Sequence, residues 1–592
     1  MSQYEIVRQH VSGAAAKNIE KWLTQPKYAE YKDELISLIE ANEWQVLEDA
    51  FFKVIEFGTA GRRGTTGVGS NRINKVTIGE SAQALCLYAR SFDIQAAAKG
   101  IVIACDTRLS SPELSAYAAR VCAANRFTTY LFDNFRSTPE LSFAVRHLGA
   151  AAGIVISASH NPPLDNGFKA YWSDGGQLVA PHDKGVLDMA ARLTDIHVVD
   201  FDEAISEGMI RIIGKKIDNA YISEVAKQAE GTDRNVTIVY SPLHGAGQTN
   251  TLPALRAAGF TSISLVDDQM VPDGRFPTIE NGKPNPEEKL ANEHAVAQLL
   301  SEGADIAITN DPDADRVGVM VRVDHEVEYL SGNQAAVLAA DYSLLKLQEK
   351  NKLTPKHYIA KTIVTTDMLA ALADHYGVHI YTNMLVGFKY IGELLHKKEA
   401  TDEVFILGAE ESFGLLKGDY ARDKDGATGA LPLAEYAAEL KTKGLTLYDR
   451  LLELYAIHGL YVEYLANAYF MGAAGFDKMQ SVMQQLRVEP FEKLEGHWVT
   501  AILDYKTLER RDIKTGHITP IDCAKGNVVV LEFDDEPRRR VTIRPSGTEP
   551  KLKFYVQWWQ QAKTENMRQQ YKAQYEHLEM LSKTLEGMLL NS

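Results

Sequence analysis

The sequence predicts an α/β protein of several domains with mixed, mostly parallel sheets, and two observations carry that expectation. Short β-branched runs recur at 100–106 (GIVIACD), 153–157 (GIVIS), 236–240 (VTIVY), 304–309 (ADIAIT) and 404–408 (VFILG), with helical segments between them. That alternation is the signature of α/β folds, and continuous apolar runs suit strands buried on both faces. The chain also has 592 residues, too many for one core, because single cores stop growing at roughly 250–300 residues.

Five segments follow in order. Residues 1–50 carry WLTQ, YAEYKDELISLIEA and WQVLEDAFF at helical periodicity and predict a helical N-terminal extension. Three α/β units are expected at 51–205, 206–330 and 331–462. A last α+β domain, 463–592, has strands at 526–533 and 540–543 and closes with a long charged helix. Each apolar run ends in a polar segment: DTRLSSPEL, ASHNPPLDNG, SPLHGAGQ, NDPDADR and AEESFG. In open α/β sheets ligands bind beyond the carboxyl ends of the strands, where these segments fall.

Composition narrows the function. The contents of 45% hydrophobic and 24% charged residues are those of an ordinary globular protein. A net charge of −16 argues against nucleic acid and anionic membrane as partners. No stretch approaches the ~18 apolar residues of a membrane span, and the N-terminus lacks a signal-peptide layout. Cys86, Cys105, Cys122 and Cys523 have no paired or metal-type spacing and read as reduced thiols of a cytoplasmic protein. An anionic ligand would need local positive charge within this acidic chain.

Three segments carry the chemistry. In NDPDADR, Asp311, Asp313 and Asp315 alternate, so extended backbone places their carboxylates on one side. Such a trio repels itself unless a cation sits among it, and all-oxygen ligands favour Mg²⁺, Mn²⁺ or Ca²⁺. It is no EF-hand, since Arg316 stands where glycine is needed and Arg322 where glutamate is. In SASHNPPLDNG, a serine ends a buried strand on a stiff Asn/Pro turn; the residues do not choose between Ser157 and Ser159. No G-x-S-x-G elbow surrounds it, which counts against a serine hydrolase. In RPSGTEPKLKFY, a guanidinium, two hydroxyls and exposed amides offer what a phosphate dianion needs. FGTAGRRGTTGVGSNR fits neither nucleotide fingerprint. AEESFG suits sugar hydroxyls, and ARDKDG adds Arg422 and Lys424 if the two converge.

Together and in this order these segments resemble the α-D-phosphohexomutase superfamily, over roughly residues 50–560. The resemblance implies a four-domain architecture around one cleft, with three related α/β domains and a smaller α+β domain. It assigns the SHNP serine to Ser159, the metal loop to Asp311, Asp313 and Asp315, and the sugar-contacting pair to Glu410 and Ser412. The phosphate loop becomes Arg544, Ser546, Gly547 and Thr548. GTAGRRG places Arg63 near the active site, and VGFKYIG (Gly387, Lys389) resembles the phosphoglucomutase and phosphopentomutase branch. The implied reaction runs through phospho-Ser159, with one Mg²⁺ per chain contacting that phosphate, and through glucose 1,6-bisphosphate. Lys424 and His160 are the expected acids or bases, with Arg63 and Arg316 orienting groups or stabilising charge.

The expected activity is interconversion of glucose 1-phosphate and glucose 6-phosphate by a monomer or small homo-oligomer. Phosphopentomutase and phosphomannomutase activities use the same parts and are the alternatives. A non-catalytic scaffold predicts a broken serine or metal motif, and both are intact. A kinase would need a nucleotide loop, and a phosphatase no second phosphate clamp.

Overall fold

The computed structural model describes residues 3–55, 61–470, 474–546, 551–563 and 565–591. Four sheets follow one another along the chain. The first orders its strands Arg62–Thr65, Asp165–Trp172, Ala152–Ile156, Ile101–Cys105, Thr129–Phe132 and Ile210–Ile213. Its last four strands run parallel to one another, and the first two turn antiparallel at one edge. The strand Ile210–Ile213 belongs to this sheet, so the boundary expected at 205 falls inside its span.

The second sheet orders Glu326–Leu330, Val317–Val323, Ile306–Asn310, Ile238–Ser241 and Ile263–Leu265. The third orders His379–Met384, His357–Thr362, Val404–Glu410 and Gly414–Lys417. Each keeps a parallel centre and a short antiparallel edge. The fourth sheet is antiparallel throughout, from Leu460–Tyr469 to Ile518–Pro520, and packs against the helices Ala474–Val488 and Met567–Asn591. The expected boundary at 462 lies within its edge strand. The central strands Ile101–Cys105, Ala152–Ile156 and Ile306–Asn310 are buried at every position, as their apolar runs require.

The N-terminal extension forms four helices, Gln3–His10, Gly13–Thr24, Lys32–Glu40 and Trp44–Phe51. Val7, Ile19, Trp22, Leu35, Leu47 and Phe51 make its core, and Val68 and Val76 of the first α/β unit complete it. A close approach fixes the seam: Gly69 (φ +139°) lies where a Cβ would fall 2.5 Å from the Ala50 carbonyl oxygen. No described helix is long and apolar enough to cross a membrane.

Candidate active site

Three sheets aim loops at one point. Beyond Ala152–Ile156 the chain turns sharply, and Ser159 adopts left-handed backbone (φ 53°), unusual for a residue with a side chain. Beyond Ile306–Asn310 the chain does the same at Ala314 (φ 51°), between the second and third aspartates. Such conformations cluster where surrounding contacts over-determine them. The turns meet: the Ser159 hydroxyl donates to Asp311 Oδ2 across 2.5 Å, and His160 Nδ1 lies 3.2 Å from the same hydroxyl.

Ser159, Asp311, Asp313 and Asp315 are all buried, at 2% exposure or less. Ligand oxygens of the three aspartates lie within 4.8 Å of one another. Burial and the two neighbouring carboxylates push the Asp311 carboxyl well above the usual range. Asp313 is held low despite its burial, because Lys169 Nζ (2.5 Å) and the Thr138 hydroxyl (2.7 Å) both donate to Oδ2. Lys424 Nζ reaches Asp315 Oδ2 at 2.8 Å. Asp313 Oδ1 and Asp315 Oδ1 remain buried with no hydrogen-bond donor. Unsatisfied buried carboxylate oxygens on an all-oxygen trio are what a hard divalent cation would satisfy, so these residues fit one.

The surrounding charge is arranged in layers. Burial, then Arg316 and Arg63, hold the His160 imidazole well below its ordinary range and so neutral. Burial opposes the charge on Lys169 and on Lys424, but the aspartates outweigh it and both ammonium groups are held above the lysine range. Arg63 extends from the edge strand Arg62–Thr65 to Asn161 Oδ1 at 3.4 Å. Arg316 donates its backbone N–H to Asp311 Oδ1 (3.0 Å) and its Nη1 to Glu287 (2.6 Å).

Glu410 ends the strand Val404–Glu410 and accepts the Gly387 N–H at Oε1 (3.0 Å), which brings the AEESFG and VGFKYIG segments together. Ser412 lies on the turn that follows. Burial and the adjacent Glu410 push Glu411 up to about 7. Lys389 faces Asp183 of the first unit at 3.7 Å. On the fourth sheet, Arg544 pairs in register with Lys553, and the Ser546 N–H donates to the Lys551 carbonyl at 2.8 Å. Gly547 and Thr548 lie outside the described residues.

Arg422 does not join the site. It is buried against the Asp419 and Ala421 carbonyls and Glu399, away from the acidic trio. Sequence reasoning missed Lys169 and Thr138, which both donate to Asp313. A lone lysine within the apolar run 168–172 of a strand was the signal for the first, since lysine is almost never fully buried unless paired.

Three α/β units and a β-rich fourth, closing on a serine and three carboxylates, define an α-D-phosphohexomutase. Within that superfamily the chain belongs to the phosphoglucomutase/phosphomannomutase family, and it is an enzyme of phosphotransferase and isomerase type. The family's α/β/α domains I, II and III match residues 54–196, 219–324 and 331–455. A phosphoglucomutase of Staphylococcus aureus (strain N315) is 34% identical over 515 residues, covering 86% of this chain and 90% of that protein. The phosphoglucomutase of strain MRSA252 is 34% identical over 511 residues, with the same coverage of both chains. Among solved structures, pp63/parafusin (phosphoglucomutase) from Paramecium, in an open form, superimposes with a TM-score of 0.64 at 16% identity, covering 91% of this chain and 97% of that one. A phosphoglucomutase/phosphomannomutase family protein from Burkholderia thailandensis gives 0.60 at 19% identity, covering 89% and 98%.

Proposed function

We propose that this protein is a phosphoglucomutase that interconverts α-D-glucose 1-phosphate and glucose 6-phosphate through phospho-Ser159. The observation that carries the reading is the Ser159 hydroxyl, buried and 2.5 Å from Asp311 within a cation-fitted aspartate trio. The 34% identity to phosphoglucomutases supports glucose as the sugar. Asp311, Asp313 and Asp315 would hold one Mg²⁺, together with an oxygen of the serine phosphate. That ion would neutralise charge developing on the transferring phosphoryl group.

The substrate phosphate is taken by Arg544, Ser546, Gly547 and Thr548. Glu410 and Ser412 take the sugar hydroxyls, flanked by Gly387 and Lys389. The 6-hydroxyl attacks the phosphorus of phospho-Ser159. A new phosphorus–oxygen bond forms as the bond to Ser159 Oγ breaks, and in net a proton passes from the hydroxyl to Ser159. Lys169 and Lys424, both charged and beside the aspartates, stabilise the transferring group; one of them gives its own proton to the leaving Oγ and is restored by the proton from the 6-hydroxyl. Arg63 and Arg316 add positive charge, while neutral His160 orients the serine. Glucose 1,6-bisphosphate then turns over, its 1-phosphate is returned to Ser159, and glucose 6-phosphate leaves. The reading also places the protein in the cytoplasm.

A coupled assay of glucose 1-phosphate conversion, with Mg²⁺ and trace glucose 1,6-bisphosphate, tests this on wild type and Ser159→Ala. Conversion that disappears in the variant is expected. Faster turnover of ribose 1-phosphate or mannose 1-phosphate would reassign the sugar, and no turnover of any of them would overturn the reading.

A further inference from the structure

Arg108, from the DTRLSSPEL segment beyond the strand Ile101–Cys105, touches neither the aspartate trio nor the expected sugar site, yet it is 1% exposed. Its guanidinium is spent on one turn of backbone. Nη2 donates to the carbonyls of Ser159 (2.6 Å) and Asn161 (2.5 Å), and Nη1 to those of Pro162 (2.7 Å) and Asp165 (2.8 Å). Nε faces Asp106 Oδ2 at 3.2 Å. The turn's own N–H groups serve little of this: Asp165 donates to the Pro162 carbonyl, which Arg108 shares, and Asn161 donates outside the set, to Ala158. Those four carbonyls converge on a buried point where one planar, multiply donating cation satisfies them together.

The other end of the turn is fixed through the same aspartate. Asp106 Oδ2 accepts the Ser157 hydroxyl (2.6 Å), and Ser157 Oγ accepts the Ser159 N–H (2.8 Å). Asp106 Oδ1 accepts from the Ser111 hydroxyl (2.6 Å) and the Arg108 N–H (3.0 Å). Ser159 is thus held by its N–H on one side and its carbonyl on the other, in a left-handed conformation it would not adopt unaided. The second unit closes over the clamp, with the Phe276 ring 5.3 Å from the guanidinium.

We propose that Arg108 is a positioning residue for phosphoryl transfer: it sets the backbone of the Ser159 turn, and with it the direction of the reacting oxygen. The proposal rests on Ser159 being the nucleophile, as read above. Lysine cannot replace the residue, because an ammonium is a point charge with three donor hydrogens and cannot serve four carbonyls. A displacement of about 1 Å at a reacting atom can cost on the order of 100-fold in rate.

The test compares wild type, Arg108→Lys, Arg108→Met and Ser157→Ala. It reads kcat and KM for glucose 1-phosphate at saturating Mg²⁺ and bisphosphate, and hydrogen–deuterium exchange of peptides covering 158–166. Expected for Arg108→Lys is a fall in kcat of about 100-fold with KM within about threefold, and faster exchange in 158–166 while Ile306–Asn310 stays protected. Ser157→Ala, which leaves the Arg108 clamp in place but cuts the N–H tether and its link to Asp106, is expected to lose about tenfold in kcat, and it keeps the question open to measurement if Arg108→Met fails to fold. A lysine variant with kcat within about threefold of wild type, or one whose loss lies in KM alone, overturns the proposal. If wild type turned over no sugar phosphate, the functional reading would fall by itself; unchanged exchange in 158–166 of the lysine variant would then overturn the clamp separately.

Discussion

Ser159 and Asp311 lie 152 residues apart in the chain and in different α/β units, yet they share a hydrogen bond of 2.5 Å. The Ser159 hydroxyl and the acidic trio therefore come together only while the two units are docked. Thr138 adds to the same seam, with its N–H 2.9 Å from the Asp313 carbonyl and its hydroxyl on the Asp313 carboxylate.

A cation that binds only this docked form must stabilise it. Titrating Mg²⁺ into metal-free protein is expected to raise the unfolding midpoint, with about 2.7 kcal/mol added to the unfolding free energy at one hundred times the dissociation constant. Asp311→Asn should blunt the rise and abolish turnover. Superimposable melting curves with and without Mg²⁺ in the wild type would contradict a metal role for the trio.

Lys169 is buried with its ammonium 2.5 Å from Asp313 and 3.4 Å from Asp315. Lys169→Met is expected to lower kcat by about 10²–10⁴-fold, the range of a positioned proton donor. KM should move far less. Steady-state assays decide it, and an unchanged kcat would remove Lys169 from the mechanism.

The fourth domain is tied to the third by Arg540. Its guanidinium meets Asp367 at 2.8 and 3.0 Å and the Ile363 carbonyl at 3.2 Å, beside the Lys361–Asp367 pair at 2.9 Å. Arg540→Ala should destabilise the fourth domain by about 1.5–3 kcal/mol, the worth of a hydrogen bond to a charged group, because Asp367 keeps Lys361 as a partner. Protease cleavage between 463 and 560 should accelerate before the rest of the protein is attacked. Cleavage there at the wild-type rate would show that the tie contributes little.

Burial pushes Glu463, on the edge strand beside that tie, up to about 7 from an unfolded value of 4.5. The folded protein then binds a proton more readily than the unfolded chain between these values. The contribution is fully present below about pH 4.5 and is lost as pH rises through about 7, so stability from this group falls with rising pH. Glu463→Gln should flatten that slope in chemical denaturation between pH 5 and pH 8. A slope equal to wild type would exclude Glu463 as its source.

Much of this was legible in the chain, for a physical reason. Residues that need fixed local spacing, such as the aspartates at 311, 313 and 315 or the Ser159 turn, advertise themselves in sequence. The two lysines that neutralise the trio have no such constraint. Lys424 was found through its neighbours in ARDKDG, whereas Lys169 stands out only as a lone charge and names no partner until the antiparallel pairing of Asp165–Trp172 with Ala152–Ile156 carries it beside Thr138. The choice between Ser157 and Ser159 was equally closed to composition: one hydroxyl faces Asp106 inside the turn and the other faces Asp311 across the seam. Arg108 was visible only as part of a polar loop, because its four partners are backbone atoms and leave no mark on residue identity.

Asp315 is answered by two lysines from different units, Lys169 lying 146 residues before it and Lys424 beyond it. Heredity should carry the trace of that arrangement. A damaging change at any of the three positions poses the same electrostatic problem to the other two, so compensating mutations recovered by selection should appear far away in the gene rather than next door. A map of such suppressors would draw the contact between units without any coordinates.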